Sequence, residues 1–379
     1  MTRSSTQSSA QDLRAAFDRA SALTVGVEEE LLLLDPETLD LAPRAVELLA
    51  RTGGDERFKL ELPAAQIEIV SPPFASVGEL EPFLAGARRD LAAAGEGLAR
   101  LAGAGVHPFA ATEGEVNPGE RYDRTLAEYG RVARRQLVFA LQVHVAVPGA
   151  DRALAVYNAL RSYLPELLAL SANAPFHAGE DTGLATVRPK IGEQLPRQGV
   201  PPAIASFEDY AAALAWGERA GTVHDPRVWW WELRPHPVHG TIEVRVPDAQ
   251  TTVRAGAAVA AVVHALVAWL AARHDAGEQL EVAPTWRIEE NRWAALSRGV
   301  HGRLADLRTG ELEPTRDRLL RLIDQLTPLA ADLGCAEQLA AARELTNANG
   351  ADQQRAAAGD GGDLLAVTRH IADRFLQDL

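Results

Sequence analysis

The chain has 379 residues, 47% of them hydrophobic and 24% charged, which argues against disorder and leaves room for one large domain or two ordinary ones. Its formal net charge is −14 and its only lysines are Lys59 and Lys190, so neither a nucleic-acid surface nor an anionic-membrane surface is expected. Arginines can still gather round a phosphate. The single cysteine, Cys335, has no second thiol for a disulfide or a zinc site and reads as a small buried hydrophobe.

The opening residues, MTRSSTQSSAQ, are polar and lack the apolar core of a signal peptide. No later stretch offers ~18 uninterrupted apolar residues, so a cytoplasmic protein without a membrane span is expected. Residues 1–20 read as a flexible tail with a helical lead-in, DLRAAFDRA, and 21–379 as one catalytic domain. LTVGVEEELLLL (23–34) reads as a first strand and LAPRAVELLART as a helix. FKLELPAAQIEIVSPP gives two strand pieces interrupted at Pro63 and stopped at Pro72 and Pro73. A long helix is expected over 76–103, a small strand in GAGVHPFA, a loop over 112–125 and a helix in LAEYGRVARRQ. LVFALQVHVAV (137–147) reads as a strand and 151–172 as helical. The Gly- and Pro-rich stretch 173–202 reads as a functional loop, expected to border the site and bring Arg188 to the substrate. WWWELRPHP and GTIEVRVPD follow as strands, with the tryptophans expected in packing, and 251–379 is mainly helical. Short strands with one polar face fit a mostly antiparallel sheet with helices on its apolar face, an α+β class.

Side chains alternate across a strand. Glu28 and Glu30 therefore share a face in GVEEE, with Glu29 opposite. Gln66 and Glu68 share one in QIEI, Gln142 and His144 in QVHV, and Glu243 and Arg245 in TIEVRV; Glu61 lies upstream in KLELP. One such face can simply meet water. Five carboxylates without a lysine among them need another counter-charge, because like charges across strands repel. Hard cations, Mg²⁺ or Mn²⁺, take carboxylate oxygens with an occasional imidazole. No Walker A sequence is present, so a bound nucleotide would be held through ions and arginines, with Arg245, Arg234, Arg188 and Arg121 as candidates.

These stretches, with ERYDRTLAEYG, LSANAPFHAGEDTGLATVRP, WWWELRPHPVHGTIEVRVPDAQ, ENRWAA and DGGDLLAV, resemble the bacterial carboxylate–amine ligases of the type 2 glutamate–cysteine ligase family over nearly the whole chain. The resemblance implies a glutamine synthetase-like fold, in which a curved antiparallel sheet forms a funnel for ATP and two or three Mg²⁺ ions. It implies that Glu28, Glu30, Glu61, Glu68 and Glu243 are metal carboxylates. Arg245 would meet the transferred phosphate, and Arg121, Tyr122, Arg188 and Arg234 would hold substrate. The family's central His-Val-His is here Gln142-Val143-His144, which leaves open whether Gln142 or His144 ligates metal. Ala174 and His177 also depart from the family pattern.

The reaction so implied is ATP-dependent amide formation through an acyl phosphate, on small-molecule substrates: an amino-acid carboxylate, an amine and ATP. A homodimer is compatible with the sequence. A metal-dependent phosphoester hydrolase and a non-catalytic nucleotide- or metal-binding relative remain the alternatives.

Overall fold

The computed structural model describes residues 9–20, 23–223 and 228–377. Nine of its strands, in chain order, are β1 (Val25–Leu34), β2 (Phe58–Leu60), β3 (Gln66–Val70), β4 (Arg100–Ala102), β5 (Leu141–Ala146), β6 (Phe176–His177), β7 (Glu180–Asp181), β8 (Leu233–His236) and β9 (Thr241–Val244). Seven of them form one antiparallel sheet in the order β2-β3-β1-β5-β9-β8, with β4 paired to the far end of β1. The pair β6 and β7 makes a separate small hairpin, as do β10 (Arg303–Ala305) and β11 (Leu312–Pro314).

Period-two alternation decides the two faces. Val25, Val27, Leu31, Ile67, Ile69, Val143, Val145, Ile242 and Val244 are buried in the main core, which the helices complete. At its centre lies the helix Val253–Asp275, opened by Thr252, whose side chain accepts from the amide of Ala255. This helix is long and apolar enough to cross a membrane, but 83% of its apolar window is buried inside the fold. Arg254 and His264 interrupt its apolar run, and its burial places the helix in the core.

The apolar face carries one buried charge pair. Glu29 and Arg88 are both fully buried, and Arg88 Nε donates to Glu29 Oε2 at 2.9 Å. The other guanidinium donors reach Glu29 Oε1 and the carbonyls of Gln250, Thr251 and Phe375. One arginine thus ties the first strand, the central helix and the last helical turn.

Several boundaries differ from the sequence reading. The helix expected over 76–103 stops at Ala94, where Gly95 caps it, and a strand occupies 100–102 in place of GAGVHPFA. The expected loop 112–125 already contains the start of a helix, Glu120–Tyr129, entered at Gly119 with φ 142° and no side-chain cap. The helical C-terminal region is interrupted by the β10–β11 hairpin, whose turn is closed by Asp306 accepting from the amides of Arg308 and Thr309. The lead-in is the helix Ala10–Asp18, with Leu13 and Phe17 in the core. It packs against the β8–β9 turn at Gly240, φ 63°, where any Cβ would lie 2.2 Å from the carbonyl of Ala16.

Candidate active site

On the other face, strand register sets the polar side chains in one row. Glu68 lies opposite Glu30, Gln142 opposite Glu28, His144 opposite Glu243, and Glu243 opposite Arg234. Glu61 follows directly on β2, and Arg245 directly on β9. The face turns apolar beyond Glu30, where Leu32 and Leu34 pack with Phe139 and Ile371 and close one end of the cleft.

Glu28, His144 and Glu243 each offer a ligand atom within 4.8 Å of the others. His144 Nδ1 lies 3.0 Å from Thr241 Oγ1, which orients the ring, while its buried Nε2 has no hydrogen-bond partner and sits 3.4 Å from Glu28 Oε1. An orphaned imidazole nitrogen between two carboxylates fits a hard divalent cation with one nitrogen ligand. It is His144, not Gln142, whose ring atom lies within 4.8 Å of carboxylate oxygens of both Glu28 and Glu243.

The electrostatics split the row in two. Glu243 accepts from Arg234 Nε and Nη2 and from Arg245 Nη1, and the two arginines overcome its burial to hold its carboxyl well below the usual range. Burial also opposes ionisation of Glu28, yet the His144 ring beside it keeps its carboxyl low. At the other end the balance reverses. Burial, with Glu61 next, pushes Glu30 up to about 7, and burial raises Glu61 and, more strongly, Glu68, which also feels Glu61, Glu28 and Glu30. Carboxylates in this state gain most from a bound cation.

A cavity opens on each side of the row. The first, of about 280 Å³, is lined by Gly26, Glu28, Ser71, His144, His239 and Thr241 among others. Gly26 forms part of its floor, and a Cβ there would lie 3.3 Å from Ser71 Oγ. His239, which lines the cavity, stacks on His236 behind it with ring centroids 4.4 Å apart at 15°, and burial lowers His236 to about 3 and also lowers His239. The second cavity, of about 380 Å³, is lined by Glu30, Glu61, Gln66, Arg121, Tyr122 and Trp230 among others. Tyr122 donates its hydroxyl to the carbonyl of Leu60 at 2.6 Å, and Arg121 lies 3.7 Å from Glu61.

Glu28, Glu30, Glu61, His144, Arg121 and Tyr122 line these cavities, while Glu68, Glu243 and Arg245 lie in the row without lining either, and Arg188 also lines neither. Its Nε donates to buried Asp248 at 2.6 Å, and Nη2 donates to the carbonyls of Arg245 and Val246. The stretch 173–202 does border the second cavity, through Leu195 and Gln198. Arg188 braces the chain behind Arg245, because a buried Asp248 needs a cation more than the cavity does. Arg234 also lines neither cavity and acts through Glu243. Sequence reading missed the pair His236 and His239, although HPVH spells it out, and took Trp230 only as packing. Tyr129 meets the Trp230 ring edge-on, Arg197 covers it, and the indole walls the second cavity.

Solved structures share this fold. A glutamate–cysteine ligase from Francisella tularensis, in complex with AMP, superposes with a TM-score of 0.64 at 12% identity, covering 95% of this chain and 90% of that one. A bifunctional glutathione synthetase from Pasteurella multocida gives 0.64 at 12% identity, over 97% of this chain and 53% of that one. The antiparallel sheet backed by helices is thus a fold shared with these two proteins. The family model described as glutamate-cysteine ligase family 2 matches residues 24–367, and the chain belongs to that family. A Rubrobacter xylanophilus protein named as glutamate–cysteine ligase 2-3 is 38% identical over 95% of this chain and 99% of its own length. A Thermobifida fusca protein named as glutamate–cysteine ligase 2 is 36% identical over 95% and 92%. The chain is an ATP-dependent carboxylate–amine ligase, of a family that uses ATP and a divalent metal.

Proposed function

We propose that this chain activates the side-chain carboxylate of an amino acid, glutamate by family, and joins it to the amine of a second, cysteine by family, with Mg²⁺ or Mn²⁺ on the carboxylate row. The observation that carries this reading is the placement of Arg245 and the acidic row between two cavities of different lining. The Gly26 cavity, flat-walled by His239, suits a purine. Triphosphate then runs over Glu28, His144 and Glu243. The second cavity offers cations at Arg121 and Arg124 and acceptors at Glu61 and Gln66, the complement of an amino acid's charged ends.

The substrate carboxylate attacks the γ-phosphorus, the bond to ADP breaks, and an acyl phosphate forms. Arg245 donates to the phosphoryl oxygens as their charge is redistributed, held against Glu243 and Gln142. The cations supply neutralisation of phosphate charge when bound. The amine next attacks the acyl carbon, phosphate leaves, and the amine loses a proton. Arg234 keeps Glu243 ionised and fixed, and Arg188 fixes the chain carrying Arg245.

A phosphate-release assay over pairs of amino acids, with Mg²⁺ or Mn²⁺, tests the reading. Release that requires both an acid and an amine, with the amide detected by mass, is the expected result. Release needing neither is the outcome of a phosphoester hydrolase, and nucleotide binding without turnover that of a non-catalytic relative.

A further inference from the structure

The ligase reading names Gln142 only as a contact of Arg245, yet the residue is only 3% exposed in the middle of the row. Its carboxamide has two charged neighbours of opposite sign. Arg245 Nη1 donates to Gln142 Oε1, and Gln142 Nε2 donates to Glu30 Oε1 at 2.7 Å. A guanidinium only donates, so the Arg245 contact fixes the amide oxygen toward it and the amide nitrogen toward Glu30. Glu30 Oε2 meanwhile accepts from the amide of Ala140 at 2.6 Å, so both oxygens of Glu30 are engaged by donors on or beside β5. Gln142 thereby ties the arginine of the phosphate region to a carboxylate that lines the second cavity.

We propose that Gln142 is a positioning residue for the phosphoryl-transfer step: it holds the Arg245 guanidinium in register with Glu30, and the inference rests on the ligase reading above. Glu243 is not Arg245's alone. Its Oε1 is shared between Arg245 Nη1 and Arg234 Nη2, and the second acceptor of Arg245 Nη1 is the amide oxygen of Gln142. The same amide ties Glu30 to β5 and leaves it fewer free lone pairs for an ion than Glu61 or Glu68. Because Arg245 contacts the phosphoryl group most strongly as charge moves, its misplacement acts on turnover and spares ATP affinity.

The test is a double-mutant cycle of Gln142→Leu with Arg245→Lys, assayed by phosphate release on whichever acid and amine the parent uses. Gln142→Leu is expected to lower kcat by about 10²-fold while KM for ATP stays within about threefold. With Arg245→Lys already present, removing the amide should change kcat by less than about threefold, since the group it positions has gone. Losses that multiply overturn the proposal, as does a Gln142→Leu enzyme that turns over like the parent. If Gln142→Leu does not fold, Gln142→Asn, polar but one methylene shorter, replaces it with the same expectation. The unfolding midpoints of the same four proteins separate a structural bond from a positioning one: coupling in stability without coupling in kcat overturns the proposal. A parent that never releases phosphate sinks the ligase reading itself and with it the step assigned to Gln142. An active parent whose variants behave additively sinks the inference alone.

Discussion

Replacing Glu243 with glutamine keeps the shape of the side chain and removes one charge from the most tightly paired point of the cleft. The carboxylate is fully buried and is bonded by both Arg234 and Arg245. Removing one partner of a buried ion pair costs about 3–5 kcal/mol, because the surviving charge stays desolvated. Glu28 and Glu30 still act on Arg245, which places the loss near the lower end, about 3 kcal/mol. For a protein of 379 residues, an unfolding entropy of about 2.1 cal/mol/K per residue turns that into a fall of roughly 4 °C in Tm. Glu243 has a lowered carboxyl, so its stabilising contribution is present above its ordinary value of 4.5 and disappears as pH falls through the folded value. The gap between parent and Glu243→Gln should be full at pH 7 and shrink in strong acid. Thermal unfolding in chelator, repeated across pH, measures it. The same variant should need more Mg²⁺ for a given turnover. A Tm within about 1 °C of the parent at pH 7 refutes the claim that this carboxylate balances two arginines.

The opposite end of the row should respond to base. In chelator, stability is expected to fall as pH rises from 5 to 9, since a raised carboxyl stabilises below 4.5 and loses that contribution through about 7; for Glu30 alone this corresponds to about 3 kcal/mol. Mg²⁺ should recover more stability at pH 8 than at pH 6, and a flat profile in denaturant melts contradicts the burial of these groups. Arg188→Ala strips the counter-charge from Asp248 and should cost about 3 kcal/mol in urea unfolding, with KM for acid and ATP altered alike. A rise confined to the acid would put Arg188 on the substrate. Gly26→Val fills the floor of the first cavity and should raise KM for ATP by about tenfold or more while sparing KM for the acid; the reverse pattern would exchange the two cavities.

The sheet was readable because each of its central strands alternates apolar and polar residues, and a period of two leaves one choice of face. Glu28, Glu30, Glu68, His144 and Glu243 followed from that alternation without any knowledge of register. Arg188 could not be placed that way. Its partner Asp248 is 60 residues away, and a sequence does not reveal which of two acceptors an arginine prefers. The helix Phe207–Arg219 carried a legible signal in Ser206 and Asp209, an N-cap whose side chain accepts from the amide three residues on, yet it fell in a stretch that was left unassigned. Glu29 looked like one more acid in GVEEE. Only the arrival of Arg88 from a distant helix makes a charge tolerable on the apolar face.

That clasp also bears on the order in which the protein comes into being. Glu29 and Phe375 lie far apart along the chain, yet both are acceptors of the same guanidinium, whose Cζ lies 4.6 Å from the centroid of the Phe375 ring. Until the segment carrying Phe375 docks, the Arg88 guanidinium under β1, the strand that spaces Glu28 and Glu30, lacks one of its acceptors. Long-range closure of this kind is slow and comes late. The strand that spaces Glu28 and Glu30 is therefore fully backed only once a contact spanning 287 residues has closed.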